Sequence, residues 1–353
     1  MKAAVFHPAL ATPNNFLRIE EVPTPTLLPN HVLLRVLACG VCRTDLHIVE
    51  RDLPPLAPTI IPGHQIVGEV IEIAPDVVIS TGARSAERTD PRISSLPPQP
   101  LTIGSRVGVS WMGGTDGTCR FCTSGAENLC DHPTFTGYTV NGGYAEFALA
   151  RADFVHPLPR DADPIHVAPL LCAGIIGFRS LRVAEVQPGD RVGLFGFGSS
   201  ASLAISVLQH WNCEVYVVTR GESHRKAAAA LGATWVGDED ARPPVPLDRA
   251  VTFAPAGKVV VHALSCLRKG GIVAINAIHL DQMPAFDYDT LLWGERQIRS
   301  VANMTRQDAG DFLEIAIELG IRPQVTVFSL DDANQALLAV KDETANGPSV
   351  IVP

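Results

Sequence analysis

Arg191-Val192-Gly193-Leu194-Phe195-Gly196-Phe197-Gly198-Ser199-Ser200-Ala201 is the stretch that decides the fold. It begins as a short apolar run, closes in the pattern G-x-G-x-x-A, and passes directly into 200–211, an apolar run of helical length. The glycines permit a tight turn and close approach of backbone to a ligand. The helix that follows points free N–H groups and the positive end of its dipole at a pyrophosphate. Taken alone, such a pattern is often only a structural turn. Its place between a strand and a helix makes it a dinucleotide site, with Gly196, Gly198, Ser199 and Ser200 as contacts.

Downstream, the pattern continues as strand 214–218, Ala-rich helix 224–231, strand-like 235–236, helix 258–267 and strand 271–277. Strands alternating with helices imply a parallel sheet with right-handed crossovers. An NAD-selective site usually ends its second strand in Asp or Glu, which binds the ribose 2′-OH. Here that strand runs into Thr219-Arg220-Gly221, with Arg225 and Lys226 nearby and no carboxylate at the tip. Thr219, Arg220 and Arg225 suit a 2′-phosphate, so the reading favours NADP, while NAD stays open if Arg220 is only a solvated charge. Ala277, ending the 271–277 strand, completes the expected cofactor contacts.

Upstream, residues 1–75 read as β-rich, with apolar stretches at 32–37 and 66–73 separated by Pro and Gly. The segment 80–100 carries Pro, Ser, Thr and alternating charge with almost no apolar pattern, and is expected to be a long exposed loop. Strand-like sequence resumes at 105–109. Beyond about 304 come a helix (307–319), a strand (325–328) and a helix (332–340). No internal repeat is evident. A chain of 353 residues exceeds what one hydrophobic core sustains, so two domains are expected.

With 46% hydrophobic and 18% charged residues, the composition is that of a globular protein and excludes disorder of the whole chain. A formal charge of −9 argues against general binding to nucleic acid or an anionic membrane, both of which need an excess of Lys and Arg. Reading for runs of 18 or more apolar residues finds none, and residues 1–20 lack the apolar core of a secretion signal. The expectation is therefore a cytoplasmic protein without a membrane segment. Eight cysteines are then better metal ligands than disulfides, and three of them crowd into 119–130.

Two constellations carry chemistry. Gly40-Val41-Cys42-Arg43-Thr44-Asp45-Leu46-His47, Gly63-His64-Gln65 and Leu171-Cys172-Ala173-Gly174 supply two thiols and an imidazole from three segments. That donor set suits a catalytic zinc, which takes three protein ligands and keeps one position open. Each of Cys42, His64 and Cys172 alone would more often be structural; the combination overturns that prior.

In this order, with G-x-G-x-x-A to follow, the motifs resemble the zinc-containing branch of the medium-chain dehydrogenase/reductase family over nearly the whole chain. The resemblance implies an α/β fold: a Rossmann domain (171–304) set between parts of a GroES-like β-rich catalytic domain (1–170 and 305–353). It implies homodimers or homotetramers, and a zinc-dependent alcohol dehydrogenase or aldehyde reductase using NAD(P). The zinc supplies Lewis-acid polarisation of the alcohol oxygen, while hydride passes to the nicotinamide. Thr44 and His47 would form a proton relay. Asp45 would orient the His ligand through its other ring nitrogen. Arg43 looks like a pyrophosphate contact.

Asp116, Cys119, Cys122 and Cys130 are similar to the family's structural zinc lobe (about 113–131), with Asp116 where a first Cys is usual. Zinc accepts carboxylate oxygen, so a Cys₃Asp site is chemically sound and two zincs per chain are expected. The alternative is a lobe that has lost its metal. Gln65 stands where the family usually has Glu, making the surroundings of the catalytic zinc one charge less negative. Trp111, Leu53 and Met112 are candidates for the substrate pocket. Cys172, where the polyol branch typically has Glu, leans toward simple or aromatic primary alcohols. The rival readings are a polyol- or quinone-type reductase of the same superfamily, and a cofactor-binding protein of low activity.

Overall fold

The computed structural model describes residues 1–77 and 100–353; the loop expected over 80–100 lies, apart from Pro100, outside them. The chain divides into two compact units. One comprises Met1–Cys172, Asn303–Glu314 and Arg322–Pro353, and the other Ala173–Ala302 with Ile315–Ile321. Cys172 is thus the last residue of the first unit's main segment, two residues beyond the boundary expected from sequence.

The first unit is built on a seven-stranded sheet. Its order is Thr326–Ser329, Ser349–Val352, His31–Val41, Gln65–Ile73, Arg106–Val109 and Val155–Pro157, with Phe147–Arg151 pairing His31–Val41 off that path. The central strand, His31–Val41, is twice as long as the apolar pattern suggested, because it is buried almost throughout rather than alternating. Register shifts at Leu33/Leu34 and Val36/Ala38 bend it against its neighbour. Its far end pairs Gly40 with Gln65 and Val41 with Ser349, so the C-terminal strand closes the sheet beside the segment that carries Cys42. Phe6, Leu34, Leu46, Ile66 and Tyr144 fill the core beneath, each at 1% exposure or less. Burial of each such aliphatic or aromatic side chain is worth about 1.5–3 kcal/mol.

The second unit is a six-stranded sheet, parallel throughout. Its order is Trp235–Gly237, Glu214–Val218, Arg191–Phe195, Leu247–Thr252, Leu267–Ile275 and Gln297–Ser300. Counted along this unit, that is 3-2-1-4-5-6, the doubly wound arrangement that binds dinucleotides where the strand order reverses. The reversal falls beside Arg191–Phe195, the strand that enters the glycine turn. The Gly257–Cys266 helix runs straight into the Leu267–Ile275 strand, four residues before the strand expected at 271.

Among the described residues, one helical run, Pro164–Val183, is long and apolar enough by length and composition to cross a membrane. It departs from the apolar-run expectation because it carries His166, Arg179 and Arg182 among its apolar residues. Of its most apolar window 61% is buried inside the protein, as in a core helix. The run is also not one regular helix. A 3₁₀ turn at Ala168–Leu171 ends at Cys172, whose φ of −130° and ψ of −73° break the helical path before Ala173–Val183 resumes.

Candidate metal centres and nucleotide turn

The first cluster forms where the His31–Val41 strand gives way to the Arg43–Val49 helix. Cys42 caps that helix: its Sγ accepts the Thr44 N–H at 3.3 Å, and the Asp45 carboxylate reaches back to accept the Cys42 N–H at 2.9 Å. The reciprocal pair is a capping box with a thiol in the place of the usual hydroxyl. The ligand atoms of Cys42, His64 and Cys172 lie within 4.8 Å of one another. Cys42 Sγ and His64 Nε2 are 3.3 Å apart. Ligand atoms around a tetrahedral zinc at its usual bond lengths are separated by about 3.5–3.8 Å, so the three donors fit one ion with little movement.

Behind them, His64 Nδ1 and the Gly63 N–H both donate to Asp45 Oδ1, each at 3.2 Å. Asp45 and His64 are fully buried. This carboxylate fixes which imidazole nitrogen is free to ligate, the arrangement that orients metal-binding histidines. Electrostatics follow the contacts. The hydrogen bond with Cys172 holds the Cys42 thiol well below its ordinary pKa, against burial and with help from His64. The same hydrogen bond, and then burial, push Cys172 well up. Burial opposes charge on His64, but Cys42 and Asp45 outweigh it and raise its pKa well above the ordinary value.

Trp111 stands edge-on to the His64 ring, with centroids 5.2 Å apart, and stacks on Phe135 and Tyr138 at 4.9 and 6.1 Å. An aromatic wall therefore starts at a ligand. Met112 is buried at 2%, while Leu53 is half-buried against the core. Gln65 is buried at 2%, and its Oε1 lies 2.8 Å from where a Cβ on Gly40 would sit. A larger residue at 40 would make the Gln65 side chain shift.

Thr44 is buried and His47 half-buried, one turn apart on the same helix. His47 Nδ1 meets Asp52 Oδ2 at 2.8 Å, and the Asp52 side chain is 51% exposed. Asp52 was not singled out from sequence. Its signal would have been a carboxylate placed just past the helix end, five residues beyond a candidate relay histidine. Arg43 pairs with Glu343 at 3.4 Å, with both side chains at least half exposed.

The second cluster brings one ligand atom each from Asp116, Cys119, Cys122 and Cys130 within 4.8 Å of one another. Cys119 Sγ and Cys122 Sγ are 3.6 Å apart. Asp116 Oδ1 accepts the N–H groups of Cys119 at 2.9 Å and Thr118 at 2.8 Å, and those bonds hold its pKa far below the usual carboxylate range. The anion is thus in place at neutral pH, turned to the thiols that follow it. Burial pushes the Cys122 thiol up to about 11, whereas the backbone N–H of Cys122 lowers Cys119.

In the second unit, Gly196 takes φ +94°, and a Cβ there would meet Ala254 N at 3.0 Å, so glycine is required on both counts. Gly198 is the N-cap of the Ser199–His210 helix, with no side chain filling its N-terminal donors. Thr219 is buried and Arg220 exposed at the tip of Glu214–Val218. Arg225 Nη1 donates to the Thr219 carbonyl at 3.3 Å and to Asp238 at 3.1 Å, tying the helix to the strand end. Ala277 is half-buried just past Leu267–Ile275.

A doubly wound nucleotide fold and a two-thiol, one-imidazole centre define the class of a metal- and nicotinamide-dependent oxidoreductase. Residues 28–160 match the alcohol dehydrogenase GroES-like domain. The chain is 45% identical over 321 residues to the "Probable alcohol dehydrogenase AdhA" of Mycobacterium tuberculosis, covering 90% of this chain and 88% of that protein. It also superposes on the structure of CAD from Helicobacter pylori complexed with NADP(H), with a TM-score of 0.82 at 22% identity, covering 99% of this chain and 97% of that one. A cobalt- and zinc-bound thermostable alcohol dehydrogenase from Pyrobaculum aerophilum gives 0.82 at 23% identity, covering 100% and 99%. The chain belongs to the zinc-type medium-chain alcohol dehydrogenase family and is an oxidoreductase.

Proposed function

We propose that this protein interconverts a primary alcohol, aliphatic or aromatic, and its aldehyde, using NADP(H) in preference to NAD(H), with two zinc ions per chain. The observation that carries the reading is the convergence of Cys42, His64 and Cys172, with Asp45 buried behind them. Bound there, zinc supplies Lewis-acid polarisation of the substrate oxygen, and the nicotinamide supplies or takes up hydride.

The remaining work belongs to the chain. Cys42 and Cys172 as thiolates with neutral His64 would balance the charge of a bound zinc, so the site could accommodate the negative charge that builds on an alcohol oxygen as its proton leaves. Thr44 accepts that proton's hydrogen bond, His47 carries it onward, and Asp52 delivers it to solvent. Histidine suits the middle position because its charge changes near neutral pH. The aromatic wall of Trp111, Phe135 and Tyr138 supports flat, ring-bearing substrates. Gly196, Gly198, Ser199 and Ser200 would hold the pyrophosphate, with Ala277 at the sheet's edge. Exposed Arg220, with Thr219 and Arg225, supports a 2′-phosphate. The lobe zinc, on Asp116, Cys119, Cys122 and Cys130, would fold the lobe and take no part in the reaction. Free thiols at all eight cysteines accord with a reducing, cytoplasmic setting. Membership of the family supports a homodimer or homotetramer.

The test is oxidation of NADPH and of NADH with benzaldehyde, with and without a chelator. Chelator-sensitive turnover with NADPH favoured is expected. A chain that binds zinc yet turns over no aldehyde in a broad panel would instead be a cofactor-binding protein of low activity.

A further inference from the structure

One buried polar side chain beside the first centre has no role in the chemistry above. Tyr144 is completely buried, one of the largest side chains at full burial. Its hydroxyl oxygen meets no partner within hydrogen-bond distance. Buried hydroxyls are nearly always paired, so an orphan of this kind calls for an explanation.

Its surroundings belong to the metal centre. Residues Asn141 to Tyr144 clamp the segment that presents His64. Asn141 Oδ1 accepts the Ile61 N–H at 3.1 Å, and the Gly142 N–H donates to the Ile61 carbonyl at 2.7 Å. The Gly143 N–H donates to Gly63 O at 2.8 Å, and the Tyr144 N–H to Pro62 O at 3.1 Å. A Cβ on Gly142 would fall 2.1 Å from Gly63 O, so this approach needs glycine. The Tyr144 ring lies flush on Gly63: a Cβ there would sit 2.4 Å from Cδ1 and 2.6 Å from Cε1. Gly63, with φ +95°, is therefore required by the neighbour as well as by its backbone.

Asp45 is the acceptor within the hydroxyl's reach. The Tyr144 ring lies on Gly63, whose N–H donates to Asp45 Oδ1 at 3.2 Å, and a phenol is a donor at neutral pH. Cys39, the other neighbour, donates its own thiol to Gly40 O at 3.7 Å. It is a poor acceptor. Asp45 takes three donors: the N–H groups of Cys42 and Gly63, and His64 Nδ1. A carboxylate has about four acceptor sites, so one remains.

We propose that Tyr144 is a positioning residue of the buried metal centre, donating its hydroxyl to Asp45 when the metal is bound and so fixing the carboxylate that orients His64. The proposal rests on Cys42, His64 and Cys172 being metal ligands. Metal binding draws on Asp45 through His64, and a fourth donor keeps the carboxylate from turning away. Outer contacts of this kind typically change metal affinity by about 10–100-fold.

The test compares the full chain with Tyr144→Phe, alone and combined with Asp45→Asn. Zinc is titrated against a chromophoric chelator, and the visible bands of cobalt(II) at the buried centre are recorded. Tyr144→Phe is expected to weaken metal binding at this centre about 10-fold and to shift the cobalt bands, leaving the lobe's metal in place. In the Asp45→Asn background the same substitution should do little. Unchanged affinity and bands, or an equal loss in both backgrounds, overturns the proposal. If Cys172→Ser leaves the cobalt–thiolate absorption intact, the ligand assignment itself has failed, which is a separate result. Should Tyr144→Phe not fold, the cobalt-loaded structure of the unaltered chain decides. A Tyr144 Oη–Asp45 distance of about 2.7 Å supports the proposal, and one beyond about 3.5 Å overturns it.

Discussion

Cys42, His64 and Cys172 come from segments 22 and 108 residues apart, whereas Asp116 to Cys130 are gathered within 15 residues. The first set meets only because a long central strand, a capping helix and a broken helical run end at one place. His64 is buried and braced by buried Asp45, while Cys42 and Cys172 are half-buried. The second set sits on short turns, with Asp116, Cys119 and Cys122 all partly exposed. Its support is local: N–H groups of residues 118 and 119 hold Asp116. One tether to the rest of its unit is Glu127, which is buried and accepts from Arg306 N at 2.9 Å and Nε at 3.1 Å. The difference bears on what a metal would do in each proposed centre. A centre assembled by the fold can be left one ligand short and spend its open position on substrate. A centre gathered by a short loop uses all its positions to hold that loop together.

That contrast can be broken in several ways. The largest effect is expected for Cys42→Ser, which should lower kcat/KM by about 10³-fold or more, since the Lewis acid supplies several kcal/mol. Its melting temperature should stay near that of the unaltered chain. Equal losses of stability and activity would blur the distinction. Cys122→Ser should do the reverse, removing roughly 2 kcal/mol or more of stability by thermal or urea unfolding while per-molecule turnover changes little. A collapse of turnover in protein that remains folded would give the lobe a catalytic role.

A metal in the lobe should be sensitive to acid. Burial raises Cys122 to about 11, so without metal it carries a proton throughout the neutral range, and binding must displace it. Lowering the pH favours the proton. Chelator competition should show lobe affinity falling by up to about tenfold per pH unit for each proton displaced. A flat profile between pH 8 and 6 would mean that the thiol is ionised before metal arrives. Smaller still is the effect of Gln65→Glu, whose added charge behind the first centre should move the acidic limb of kcat upward in pH, with no change in lobe metal content. An unmoved limb would show that Gln65 exerts no electrostatic influence on the reaction.

Much of this was legible in the chain. The glycine turn at 196–201 with its flanking strand and helix specified the nucleotide unit, because local periodicity and φ requirements are written residue by residue. The donor types and order of Cys42, His64 and Cys172 pointed to their metal. Asp116 in a Cys position was visible as well. Less legible were the full extent of His31–Val41, hidden by burial on both faces, and the helix break at Cys172. Asp52 and Tyr144 carried no motif; each matters through a neighbour it meets in space.

The sequence by itself determined which donors exist, which turns need glycine and which cofactor chemistry the strand–turn–helix admits, since these depend on residue type and short-range spacing. Tertiary structure alone decided that Cys42, His64 and Cys172 share one centre, that Asp45 stands behind it and that Tyr144 closes over Gly63. Those contacts join residues tens to a hundred positions apart, and only strand pairing and core packing fix where such residues meet.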